Sequence, residues 1–340
     1  MSTEPSEPAA VTNDSASDAT PAVGEKVLVE DGESVVGDSP SDAERSAVQA
    51  KVDSEHRLFE PKPESGAMAG STVTLALRSK LDGPIGRLSE LRKSLLFAEL
   101  ANVCYFDEES VARTVEPLAV SASEFFDRDG AQAYRFETEH DVVVACRGTE
   151  PHDINDVKAD VDAIMAVVET VGRVHRGFNT ETDDLWPRIE KTLHVDVIGE
   201  KPVWFCGHSL GGAMATICAG RCFMSDEVKN PEGLFTYGSP RVGDKQYINY
   251  VKDIQHIRWV NNNDIVPRLP PRLAGFRHHG REMYLDRKGR LRKLKAGAKF
   301  ADRMRGFGAS LLRFKLDPLS DHIVDAYIAA IATTIEASEK

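Results

Sequence analysis

The chain has 340 residues, a formal net charge of −12, 41% hydrophobic and 28% charged residues. Its length allows more than one structural unit, and the lack of any run of about 18 apolar residues excludes a helical membrane span from the expected architecture. Residues 1–64 carry 15 Asp/Glu against 5 Lys/Arg, a net of −10, so the remaining chain is only about −2 and its charge balance identifies no partner.

Taken in chain order, the first stretch is unlike the rest: acidic, rich in Ser, Ala and Pro, with no Trp or Tyr. Such a composition buries too little apolar surface to offset chain entropy, so an acidic disordered tail is expected over 1–68, serving solubility, ahead of a folded domain over 69–340. No basic patch followed by an apolar run opens the chain, so a cytoplasmic location is expected. Residues 85–105 place Leu88, Leu91, Leu95, Ala98 and Ala101 at helical spacing. Residues 133–137 and 142–146 read as strands joined by a charged turn. Residues 154–168 read as an amphipathic helix with Ile154, Val157, Val161, Ile164 and Met165 on one side, and 178–193 as another helix. Strands are expected at 203–206, 233–237, 256–260 and 282–285, a helix after Ser209, and a last helix within 319–335. Strands alternating with helices predict an α/β fold with a mainly parallel central sheet covered on both faces, its chemistry at the carboxyl ends of the strands.

The run Trp204-Phe205-Cys206-Gly207-His208-Ser209-Leu210-Gly211-Gly212 carries the sharpest chemical signal. An apolar strand leads into G-x-S-x-G and then a small-residue helix, the layout of a turn that lifts a serine clear of a sheet. Side chains at Gly207 or Gly211 would collide with the packed strand and helix. The first N–H groups of the new helix lack intrahelical partners, so Leu210 N–H can face an oxyanion. Ser209 needs a base and a carboxylate, expected in the order Ser, Asp, His. Asp264 closes an apolar strand before Ile265-Val266-Pro267. Of the histidines that follow it, His322 leads into the last helix and is preferred over His278 and His279, which lie in a basic loop. His208 is read as packing of the turn. Cys146-Arg147-Gly148-Thr149 is placed to give a second oxyanion donor, Thr149, with Arg147 structural. The five cysteines are an odd number, four of them within apolar patterns. They are expected to be small buried hydrophobes in a reducing compartment, with no metal site.

Several stretches in order then resemble the class 3 lipases, the family of fungal triacylglycerol lipases and their bacterial and plant relatives. They are Cys146-Arg147-Gly148-Thr149, Val174-His175-Arg176-Gly177-Phe178, Gly207-His208-Ser209-Leu210-Gly211-Gly212, Tyr237-Gly238-Ser239-Pro240-Arg241-Val242-Gly243, Asn263-Asp264-Ile265-Val266-Pro267-Arg268-Leu269-Pro270-Pro271 and Asp321-His322. The resemblance spans roughly residues 85–335. It implies an α/β-hydrolase fold and cleavage of lipid carboxylic esters without metal or organic cofactor. It also implies Ser209, Asp264 and His322 as catalytic triad, with Thr149 and Leu210 as oxyanion donors. Phospholipase A1-type activity, acyl transfer to an alcohol, and a non-catalytic lipid-binding scaffold remain open readings.

The resemblance also implies a lid, which maps onto the amphipathic stretch 154–165; a fixed surface helix is the alternative. One departure from the family is a basic stretch, 287–315, with eleven Lys/Arg and one acid, Asp302. Phe307, Leu311, Leu312 and Phe314 lie among its arginines, which suits either peripheral contact with an anionic membrane or lipid surface, or a solvated insertion. No nucleic-acid-binding motif accompanies the charge.

Overall fold

The computed structural model describes residues 75–128, 130–148, 171–293 and 322–339, together with the backbone of 165–168. All of these belong to the second of two units of the chain, Gly70–Lys340. The acidic tail, Thr149, residues 154–164 of the expected lid helix, and 294–315 of the basic stretch lie outside the described residues.

The domain opens with helix α1 (Glu90–Val103), capped by the Ser89 side chain, and α2 (Glu108–Val115), capped by Asp107. Each cap accepts an N–H that the first helical turn leaves without a partner. Strands β1 (Ala122–Arg128), β2 (Ala131–Glu137) and β3 (Val142–Cys146) follow as an antiparallel meander. A separate hairpin pairs β4 (Met165–Val168) with β5 (Gly172–His175). Then come α3 (Arg176–Thr192), α4 (Val195–Ile198), β6 (Val203–His208), α5 (Leu210–Cys222), β7 (Pro231–Tyr237), α6 (Lys245–Tyr250), β8 (His256–Val260), β9 (Arg281–Leu285), β10 (Leu291–Arg292) and α7 (Val324–Ser338).

The main sheet has the order β1-β2-β3-β6-β7-β8-β9-β10. Pairing is parallel from β3 through β6, β7 and β8 to β9, and antiparallel at both edges. The parallel strands are buried on both faces, which is why they read as continuous apolar runs. Alternation along each strand then divides the core. Val143 and Ala145 of β3, and Trp204 and Cys206 of β6, face α1 and α7. Val142, Val144, Val203 and Phe205 face α3 and α5. All five cysteines are buried free thiols.

One local expectation is corrected, and one strand was not foreseen. Residues 165–168 are a strand rather than the end of a helix. Val167 and Val168 are β-branched, and pairing with β5, which Gly172 enters at a φ of +133°, decides their conformation. β1 was not foreseen because most of it is exposed, so no apolar alternation marks Ala122-Ser-Glu-Phe-Phe-Asp-Arg as a strand; its ladder with β2 supplies the signal.

Candidate active site

The carboxyl end of β6 runs directly into α5 through Ser209, which adopts φ 56° and ψ −128°. A non-glycine residue held at positive φ costs about 1–3 kcal/mol, so its surroundings must fix it. They do. A Cβ on Gly207 would lie 2.3 Å from the Gly211 carbonyl oxygen, and one on Gly211 would lie 2.2 Å from the Cys146 carbonyl oxygen. Strand, turn and helix therefore approach to backbone contact, and the end of β3 abuts the turn. The same crowding holds at Gly148, whose Cβ would fall 2.6 Å from the His208 carbonyl oxygen and 3.3 Å from Ser209 Cβ. Ser209 N–H donates to Tyr237 C=O at 2.9 Å, tying the turn to β7.

Three side chains meet beside this turn. Ser209 Oγ lies 2.8 Å from His322 Nε2, and His322 Nδ1 lies 2.9 Å from Asp264 Oδ2. Asp264 is fully buried, and Ser209 and His322 almost so. A carboxylate only accepts, so His322 Nδ1 donates to it and Nε2 is left to accept the Ser209 proton. Asp264 follows β8 and is held by more than the histidine. Its Oδ1 accepts Val266 N–H at 2.9 Å, and its Oδ2 also accepts the Tyr327 hydroxyl at 2.5 Å. Tyr327 in turn accepts Asn261 N–H at 3.0 Å, so α7 is stitched to the turn that carries the carboxylate. Gly238, with φ +60°, makes room for the pair: its Cβ would lie 2.8 Å from Asp264 Oδ2 and 2.9 Å from His322 Nδ1.

The structure thus brings together Ser209, Asp264 and His322 from three separated stretches. The competing histidines are engaged elsewhere, His278 with the Pro267 carbonyl at 2.6 Å and His279 with His256 at 3.1 Å. His208 bonds to Tyr105 and to the main chain of His322 rather than to Ser209. Leu210 is the first residue of α5, where the N–H has no intrahelical acceptor. Thr149, the other expected donor, lies outside the described residues, but its neighbour Gly148 is at the turn. The thiols of the two strands that meet at the turn stay protonated. A hydrogen bond with Cys218 and then burial hold Cys146 well above its usual range, and burial does the same to Cys206. Reading the sequence missed Tyr327 and Gly238 as parts of the site. Gly238 stood inside a noted motif, whereas nothing local marks Tyr327.

Residues 143–274 match the family model described as Lipase (class 3). Over these residues the chain is similar to the class 3 lipases. The match contains Ser209 and Asp264 and stops short of His322. Among curated relatives, a lipase of Rhizomucor miehei is 34% identical over 164 residues, 46% of this chain and 44% of that protein. Toxin TseL of Vibrio cholerae is 40% identical over 114 residues, 33% of this chain and 17% of that one. The chain therefore spans less than half the length of these relatives. A solved structure of Rhizomucor miehei triacylglyceride lipase superposes with a TM-score of 0.50 at 26% identity, covering 60% of this chain and 82% of that one. The shared architecture is the α/β-hydrolase fold.

Proposed function

We propose that this class 3 lipase homologue hydrolyses carboxylic esters of lipids through a covalent acyl-enzyme. The observation that carries the reading is the Ser209–His322–Asp264 chain of hydrogen bonds at the strand-to-helix turn. Ser209 Oγ attacks the ester carbonyl as His322 Nε2 takes its proton. Asp264 keeps the imidazole in the required tautomer and stabilises the imidazolium that forms. The tetrahedral oxyanion is held by Leu210 N–H and by Thr149. His322 then returns the proton to the departing alcohol, and a water, activated in the same way, releases the acid. Lipid esters are the favoured class because the similar Rhizomucor miehei proteins are named a lipase and a triacylglyceride lipase.

The first test is a short-chain p-nitrophenyl ester assay together with fluorophosphonate labelling and intact mass. Wild type should turn over and gain one adduct at Ser209; Ser209→Ala should lose the adduct and roughly 10⁴-fold or more in kcat. Unchanged turnover by that variant sinks the reading. We further infer peripheral contact with an anionic lipid surface through the basic stretch 287–315. Its composition supports this, although within the described part Arg290 and Arg292 are both paired with Asp286. Sedimentation at low salt should show stronger binding to anionic than to neutral vesicles, and equal binding to both would refute it.

A further inference from the structure

We propose that His208 and Tyr105 form a positioning pair that fixes the main chain of the catalytic histidine and ties it to the turn at Gly148. The inference rests on the hydrolase reading above and deepens it. His208 Nε2 lies 2.6 Å from the His322 carbonyl oxygen, and His208 Nδ1 lies 3.1 Å from Tyr105 Oη. The two imidazole rings sit with centroids 4.6 Å apart.

A carbonyl oxygen only accepts, so His208 Nε2 carries the proton and donates. In a neutral imidazole Nδ1 must then accept, and the Tyr105 hydroxyl donates to it. Burial first, and the neighbouring His322 second, hold His208 well below the usual histidine range, so it stays neutral. Tyr105 thereby selects the one tautomer that can hold the His322 carbonyl. The imidazole of His322 is already bound at both nitrogens, but those bonds fix the ring only if its backbone stays in place. His208 supplies that anchor immediately before the turn into α7.

Tyr105 also stands against the turn at Gly148. A Cβ on Gly148 would lie 2.5 Å from Tyr105 Oη, and the Arg147 guanidinium lies 5.6 Å from the Tyr105 ring centroid. One phenol at the end of α1 thus touches the turn expected to face the oxyanion and, through His208, the backbone of the base. Its effect on turnover is to set the separation between the two sides of the reacting carbonyl, where misplacements of about 1 Å can cost about 100-fold in rate.

The test is steady-state kinetics on a soluble p-nitrophenyl ester, with kcat expressed per fluorophosphonate-titrated Ser209, for His208→Leu, His208→Gln and Tyr105→Phe. Gln can present its amide N–H near the position of His208 Nε2; Leu cannot. His208→Leu should lose roughly 30–100-fold in kcat per titrated site with KM within about twofold, and Tyr105→Phe about tenfold. His208→Gln should recover to within about fivefold of wild type. A purely structural role predicts instead fewer titratable sites with normal turnover at each, and no rescue by Gln. Either result, or turnover of His208→Leu within about threefold of wild type, overturns the proposal. If His208→Leu does not fold, the Gln and Phe variants decide by the same criteria. Failure of wild type to label at Ser209 defeats the hydrolase reading itself, which separates the two outcomes.

Discussion

Ser209 takes its conformation mainly from glycines within a few positions of itself, with β3 and β7 abutting the turn, whereas Asp264 and His322 are placed by side chains from stretches scattered over much of the domain. On the nucleophile side, Gly207 and Gly211 let strand and helix meet, and the positive φ of Ser209 follows from that contact. On the acid–base side the one local bond, from Val266 N–H to Asp264 Oδ1, is joined by bonds from far along the chain. Asp264 depends on Tyr327, which is 63 residues away, and His322 depends on Asp264, 58 residues away. The first side is a matter of backbone packing and the second a buried hydrogen-bond network. Packing of this kind is set within one supersecondary unit. A network loses more than one bond when any member goes, because each buried group left unpaired carries its own penalty.

The largest effect that sharpens this contrast is expected for Asp264→Asn. The amide keeps the shape but favours the wrong imidazole tautomer, so kcat should fall about 10⁴-fold on a soluble ester. A loss under about tenfold would show that the network does not orient His322. Gly238→Ala should come next. It adds a Cβ 2.8 Å from Asp264 Oδ2 at a φ of +60°, yet leaves Gly207 and Gly211 untouched. Turnover should drop about 10–100-fold while Ser209 stays on its turn, which near-wild-type circular dichroism combined with slowed fluorophosphonate labelling would reveal. Wild-type labelling rates would mean that Asp264 and His322 tolerate displacement, and the contrast would fail.

The smallest effect is on stability against pH. His208 on the nucleophile side, and His256 and His278 on the Asp264 side, are all held well below the usual histidine range. Burial is the main cause in each, reinforced by His322 for His208, by His279 and Arg258 for His256, and by Arg258 for His278. Below about pH 6.5 the unfolded chain takes up protons that the folded chain refuses. These groups therefore stabilise the fold fully above that pH, and the contribution falls as pH drops, by at most about 1.4 kcal/mol per pH unit for each. Glu181 works the other way. Burial, with Asp184 beside it, pushes its carboxyl up to about 7, so it withdraws stability as pH rises from its ordinary value of 4.5 toward 7. His279 is also held low, chiefly by burial, so with four histidines against one carboxyl the urea midpoint should decline from about pH 6.5 to about 5. A midpoint that rises over that range would contradict the sign.

The division between local and distributed construction also separates what was legible in the residues from what was not. Glycine spacing around Ser209, the apolar runs of β3, β6, β7 and β8, and the carboxylate closing β8 could all be read directly. A strand buried on both faces and a glycine forced by backbone contact leave their marks within a few residues. His322 was chosen over His278 and His279 by its place before a helix and by family resemblance. The distances then brought His322 to Ser209 and left the other two on Pro267 and His256. β1 and the β4–β5 hairpin were invisible or misread because edge and hairpin strands take their conformation from a partner.

By itself, then, the sequence determined a parallel α/β core and a serine on a strained turn, since both follow from side-chain size and spacing over fewer than about ten residues. Only the tertiary structure decided which histidine stands 2.8 Å from that serine, that Tyr327 shares the Asp264 carboxylate with it, and that Gly238 leaves them room. The physical reason is range. Hydrogen bonds between groups 58 to 113 residues apart exist only once α1 and α7 pack on one face of the sheet and bring the start of α7 against the carboxyl ends of β6 and β8.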